Sequence, residues 1–222
     1  MRRAAVLGIF LLLAAVTVAG AAEAVAHALH APGLRPWLLA SYRLLKAAVI
    51  CAFAAFVAVR PPARRSTRDP LAFTACGAAM AATMALKAFS GLTSTGIVLA
   101  GEAVALAGCT WLLASALALG RCFSVLPEAR GLVTRGPYRL VRHPVYLGEL
   151  AVCAGLVIAS PSGWNIAFGA GFLLAQSIRM RLEEEALMKE FPEYATYAAT
   201  TARIVPLLRP SVRQAPVARG SA

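Results

Sequence analysis

Long apolar runs separated by short polar, basic segments set the pattern of this chain. The first four cover 4–22, 37–59, 71–89 and 97–119, each near or beyond the ~18 apolar residues that a bilayer-crossing helix requires. Two shorter runs follow, over 146–159 and 164–178. Between them lies Ser160-Pro161-Ser162-Gly163, a turn signal that makes the pair a helical hairpin. The pattern predicts an all-α polytopic membrane bundle of about six spans, five to six. The first run has a second reading. Arg2-Arg3, an apolar stretch and Ala19-Gly20-Ala21 resemble a signal peptide with a small-residue cleavage site, but the length of the run favours an uncleaved anchor.

Composition sharpens this picture. Hydrophobic residues make up 59% of the 222 positions, charged ones 14%, and the mean hydropathy is +0.70, too apolar for a soluble domain of this size. The net charge is +12. A basic balance raises nucleic-acid binding as a function, but the basic residues sit between apolar runs and no basic-aromatic motif accompanies them. Anionic lipid headgroups are the expected partners, and nucleic acid is not. The five cysteines are odd in number and form no Cys-x-x-Cys pair, which argues against a disulfide framework or a zinc site.

The arginines orient the bundle. With the N-terminus inside, the cytosolic segments hold Arg2, Arg3, Arg60, Arg64, Arg65, Arg68, Arg121, Arg130, Arg135, Arg139, Arg142 and every basic residue from Arg179 onward, while Arg35 stands in an outer loop. This positive-inside asymmetry predicts that both termini face the cytosol. Arg43, Lys46, Lys87 and Glu102 interrupt the apolar runs. They lie towards the predicted outer ends of their spans, where long side chains snorkel to the interface. His27 and His30 can share a helix face, but no third ligand accompanies them, so no metal site is expected.

Polar and special residues collect in two segments flanking the short hairpin. The first runs from Gly131 to Glu149. In it Gly136-Pro137 is a turn, His143 is biased to extended backbone by the proline after it, and Pro144 suits the first turn of a helix. That helix would present free N–H groups and a partial positive charge to the cytosolic side, beside Arg139 and Arg142, an arrangement that favours an anionic group. In the second segment Arg181, Glu184 and Glu185 stand at spacings that allow pairing along one helix face. Glu183-Glu184-Glu185 is a concentrated negative patch suited to an ammonium or sulfonium cation, or else one side of a solvated amphipathic helix. An antiparallel hairpin brings both segments to one membrane face.

At these residues the chain resembles the isoprenylcysteine carboxyl methyltransferase family and its relatives, the phospholipid N-methyltransferases. The resemblance rests on Gly136-Pro137-Tyr138-x-x-x-Arg142-His143-Pro144-x-Tyr146-x-Gly148, then Arg181-x-Glu183-Glu184, Leu187, Phe191, Tyr194, Tyr197 and Arg203-x-x-Pro206. It implies S-adenosylmethionine as cofactor, in a cytosol-facing pocket, with a lipid or prenylated acceptor entering from the bilayer. It also implies that Tyr138, Arg142, His143, Pro144, Tyr146 and Gly148 line the cofactor pocket, with Glu183 and Glu184 near its amino end. Arg203 and Glu184 are the expected catalytic residues: Arg203 to orient the acceptor, Glu184 to take a proton from an amine. Glu185 extends the acidic pair, so the key carboxylate is one of Glu183, Glu184 and Glu185. The chain then divides into N-terminal transmembrane helices (1–125), a methyltransferase core (126–208) and a disordered tail (209–222) rich in Arg, Pro, Ser and Ala.

The expected reaction is methyl transfer by in-line displacement, which asks mainly for alignment and electrostatic fit. Carboxyl methylation is favoured over N-methylation, because a carboxylate is nucleophilic without a base. A sterol-reductase-like NADPH enzyme and a non-catalytic membrane protein of the same fold are the alternatives. The alanine- and arginine-rich composition points to a bacterial inner membrane with the site facing the cytosol.

Overall fold

The computed structural model describes residues 3–61, 69–85 and 94–206. Among them there are seven α-helices and no strand: α1 (Arg3–His30), α2 (Leu34–Val59), α3 (Pro70–Ala85), α4 (Thr95–Leu119), α5 (Pro144–Ala159), α6 (Gly163–Glu190) and α7 (Tyr194–Thr200). Arg2, Arg64, Arg65 and Arg68, used to orient the bundle, Lys87, which interrupts the third run, and the tail from 209 lie outside the described residues.

The helix ends follow local chemistry. α1 runs past the expected end at Ala22 to His30, because no breaker intervenes in this alanine-rich stretch before Pro32-Gly33. Gly33, at φ 98°, makes the reversal into α2, a conformation that favours glycine. α4 stops at Gly120, φ 52°. Pro144 opens α5, where its missing N–H costs nothing. The hairpin to α6 is capped as its sequence implies: Ser162 Oγ accepts the Asn165 amide at 3.1 Å, and the Asn165 side chain donates to the Ser160 carbonyl at 2.8 Å. α6 continues unbroken from the last apolar run through the acidic segment and ends before Pro192, so the expected sixth span and the amphipathic helix after it are one element.

Three helices, α1, α2 and α4, are long and apolar enough to cross a bilayer. α5 has 16 residues, shorter than the ~20 that span a hydrocarbon core of about 30 Å, and α3 has 16 among the described residues. Large apolar side chains point outward on several helices, with Leu12 67%, Leu44 50%, Leu117 60% and Leu174 64% exposed. Such a surface belongs in lipid, and the chain is a membrane protein.

In lipid, helices associate through close packing rather than hydrophobic exclusion. α1 packs on α2, α2 on α4, α4 on α5, α5 on α6 and α6 on α3. The α4–α5 contact is the most extensive, and glycines spaced a heptad apart on each helix make it: Gly101 and Gly108 on α4, Gly148 and Gly155 on α5. A Cβ on Gly108 would stand 2.8 Å from the Ala151 Cβ, and one on Gly148 would stand 2.7 Å from the Leu112 Cβ. Trp111 of α4 clamps the start of α5 by donating to the Pro144 carbonyl at 2.9 Å. Near the ends of α1, α2 and α4, Phe53 stacks on Phe123 at 4.2 Å with Phe10 edge-on to both.

Candidate active site

Two chain segments meet at the start of α5, as the hairpin predicts. The backbone N–H of Arg142 donates to the Ala202 carbonyl at 2.8 Å and that of His143 to the Arg203 carbonyl at 3.1 Å, around an isolated parallel bridge between Val141 and Ala202. Tyr197 of α7 donates its hydroxyl to the Tyr138 carbonyl at 2.6 Å, which ties α7 to the 3-10 turn Gly136–Arg139. Ala129, Phe191, Tyr194 and Ala198 form the small apolar core beneath. The segment after α6 is thus folded back over the loop before α5.

Glu184 of α6 fastens this junction. A single oxygen, Oε1, lies 2.9 Å from His143 Nε2, 3.2 Å from Arg203 Nε and 3.4 Å from an Arg142 terminal nitrogen. Burial pushes the Glu184 carboxyl up, but the His143 hydrogen bond and the His143, Arg142 and Arg203 charges outweigh it, leaving the group below its usual range. Its neighbour has a separate partner: Tyr146 donates to Glu183 Oε2 at 2.8 Å. The two carboxylates therefore do not form a joint acidic patch, and Glu184 turns to Arg142 and Arg203 rather than pairing along its own helix with Arg181. Burial also raises the phenols: Tyr138 is pushed up with Glu183 adding to the effect, Tyr197 to about 12, and Tyr194 upward by burial and the Glu184 charge. All three stay protonated donors at neutral pH.

These groups stand at one end of a cavity of about 540 Å³ that continues between α2, α4 and α5 into the apolar bundle. Tyr138, Arg142, His143, Tyr146 and Glu183 line that end, and Arg43, Lys46 and Glu102 line it further along their helices. Of the residues expected in the site, Glu184 and Arg203 stand behind this wall as its support. Pro144 is fully buried at the head of α5, and Gly148 faces Leu112 of α4. For these two the structure gives packing roles, since the missing side chain of Gly148 lets α4 approach.

A further polar cluster stands beside Tyr146, with Glu149 and Arg179 lining the cavity. Gln176 donates to Glu149 Oε2, Arg179 approaches the same oxygen at 3.7 Å and donates to Gln176 Oε1 at 2.6 Å, and its guanidinium lies 5.0 Å from the Tyr146 ring centroid. The other Arg179 nitrogen donates to the Val125 carbonyl at 3.1 Å, which Cys76 also reaches. Glu149 and Arg179 stand at the ends of the two segments expected to form the site but were given no role in it, and Gln176 was not expected there. Their signal was present: Glu149 and Gln176 are polar residues inside apolar runs, and Arg179 lies one helical turn beyond Gln176 on the same face.

The chain is a helical membrane bundle with paired basic and acidic segments closing one end of its cavity, and comparison with known proteins shows what that part is similar to. Residues 95–194 match the family model described as phospholipid methyltransferase. That segment, which begins at α4 and so takes in the glycine-packed α4–α5 pair, is what the chain shares with this family of membrane methyltransferases. Two bacterial proteins are similar over 78 residues. One is the cobalt-zinc-cadmium resistance protein CzcN of Cupriavidus metallidurans, 37% identical over 35% of this chain and 36% of that protein. The other is the nickel-cobalt-cadmium resistance protein NccN of Alcaligenes xylosoxydans xylosoxydans, 36% identical over 35% of this chain and 37% of that protein. The chain thus matches about a third of the length of these relatives.

Proposed function

We propose that this protein is an integral membrane methyltransferase that uses S-adenosylmethionine and acts on a lipid-type acceptor reaching the cavity from the bilayer. The observation that carries this reading is the convergence of Arg142, His143 and Arg203 on Glu184 Oε1, behind the Tyr146–Glu183 wall of a cavity that opens into the apolar bundle.

The residues fit such a cofactor. Arg142 lines the cavity and its Nε is buried without a hydrogen-bond partner among the described residues, and an unmet buried donor of this kind suits a carboxylate. Glu183, held by Tyr146, suits an amino group, and Tyr138, His143 and Tyr146 supply aromatic faces for a purine or a sulfonium. Bound there, the cofactor would supply an electrophilic methyl group on sulfur. The chain's own residues do the rest. Arg142 and His143 fix the charge at the cavity end, and Glu184 holds both in place. In this reading Glu184 braces the site rather than taking a proton, because its one engaged oxygen already faces three donors and its carboxyl is held in the charged form. The apolar wall excludes water from the reacting centre.

Incubating the protein in nanodiscs with methyl-labelled S-adenosylmethionine and membrane lipid extract tests the reading. Label in a lipid fraction is the expected result. Label nowhere, from a folded sample that binds the cofactor, would move the reading to a non-catalytic protein of this fold.

A further inference from the structure

We infer that Lys46 and Arg43 of α2 form an anion site in the arm of the cavity away from His143, and that it holds the carboxylate head of a single-chain membrane amphiphile. This goes beyond the methyltransferase reading and does not depend on it. The site stands apart from the cofactor end, and its occupant takes no part in methyl transfer.

Lys46 stands at the midpoint of α2 (Leu34–Val59), ~18 Å from its start by helix rise, too deep for its side chain to snorkel to an interface. It lines the cavity instead, as do Arg43, one turn earlier, and Tyr42 beside it. The other end of α2 marks the cofactor side: Phe53 stacks on Phe123, and Arg130 donates to the Pro61 carbonyl just past the helix. Two cations within a membrane helix are costly unless each meets an anion. Arg43 donates to the Gly20 carbonyl at 3.1 Å, a neutral partner. Lys46 has neither a hydrogen bond nor an ion pair among the described residues. The nearby acids do not offset them. Glu102 of α4 lines the same arm, but its Oε1 meets Arg35 at 3.5 Å and its Oε2 has no hydrogen-bond partner among the described residues, so it holds neither cation of α2. Glu23, one turn from Gly20 on α1, is exposed and makes no ion pair with Arg43. The arm thus carries two positive charges beside an apolar wall that includes Val49, Ile50 and Leu156. A carboxylate supplies the missing counter-charge, with an oxygen for each cation, and its alkyl chain fits the wall. At about 540 Å³ the cavity suits one chain rather than the two of a diacyl lipid.

Binding of dodecanoate, dodecanol and dodecylamine to the detergent-solubilised protein, read by native mass spectrometry, tests the site without turnover. Dodecanoate is expected to bind roughly tenfold more tightly than dodecanol, and the amine no more tightly than the alcohol. Lys46→Met, which fills similar space without the charge, should lose that preference, while Lys46→Arg, which keeps the charge, should retain it and reports on folding as well. Equal binding of acid and alcohol by the wild type, or an unchanged preference in Lys46→Met, would overturn the site. Acetate tests the free anion against the amphiphile: it should not displace dodecanoate at equal concentration, and displacement would overturn the amphiphile as occupant. Saturating S-adenosylmethionine should leave dodecanoate bound; its release would put the acid at the cofactor end and overturn a separate site.

Discussion

His143 Nε2 stands 2.9 Å from Glu184 Oε1, joining the residue that caps α5 to the C-terminal half of α6. The same oxygen meets Arg142 and Arg203, so one carboxylate holds the pre-α5 loop, α6 and the C-terminal segment together. Replacing it with Gln leaves two guanidiniums without their counter-charge. Breaking a fully buried pair costs ~3–5 kcal/mol; with Glu184 18% and Arg203 33% exposed, about 2 kcal/mol is the expected loss for Glu184→Gln. Hydrogen exchange reads it locally: the Arg142 and His143 amides, which donate to Ala202 and Arg203, should exchange faster. Unchanged protection at both would mean the clasp does not hold the segment.

The depressed Glu184 carboxyl also predicts a pH dependence. A carboxyl whose folded value lies below its unfolded value of about 4.5 contributes stability that is present above 4.5 and lost as the pH falls through the folded value. Thermal stability should therefore decline below about pH 4.5 in the wild type, and Glu184→Gln should flatten that decline. Parallel profiles for the two proteins would show that another group governs it.

The α4–α5 seam predicts where a single methyl group matters. Gly148→Ala places a Cβ against the backbone and Cβ of Leu112 and should cost ~1–3 kcal/mol through displaced helices. Gly77→Ala and Gly171→Ala meet open space and should be neutral or stabilising by up to ~1 kcal/mol. Melting temperatures in one detergent rank the three; a Gly148→Ala protein as stable as the others would remove the seam from the account.

Tyr146→Phe keeps the ring under Arg179 and deletes the hydroxyl that donates to Glu183 at 2.8 Å. A hydrogen bond to a charged acceptor contributes ~1.5–3 kcal/mol, so affinity for S-adenosylmethionine should fall roughly tenfold or more with little change in fold by circular dichroism.

Much of this was legible in the sequence because membrane helices announce themselves residue by residue. The start of α5 and the Ser160–Gly163 turn were set by local signals, and the meeting of the Arg142-His143 and Glu183-Glu184 segments followed from the hairpin alone. What was not legible depends on pairing across elements. Glu183 and Glu184 are adjacent in sequence yet point to different partners, because successive residues on a helix are about 100° apart. Gly148 read as part of a ligand motif, whereas its neighbour is Leu112, a contact set by the α4–α5 packing rather than by local sequence. Glu149 and Gln176 were passed over for the same reason: their relation exists in the folded α5–α6 pair.

The central claim, that the Arg142–His143–Glu184–Arg203 junction supports a methyl-donor site, is tested most directly by calorimetric titration of S-adenosylmethionine into the purified wild-type protein and into His143→Ala. Saturable one-site binding by the wild type, weakened at least tenfold in the variant, is the predicted result. Absence of binding to a folded wild-type sample, or equal affinity in the two proteins, would contradict the account.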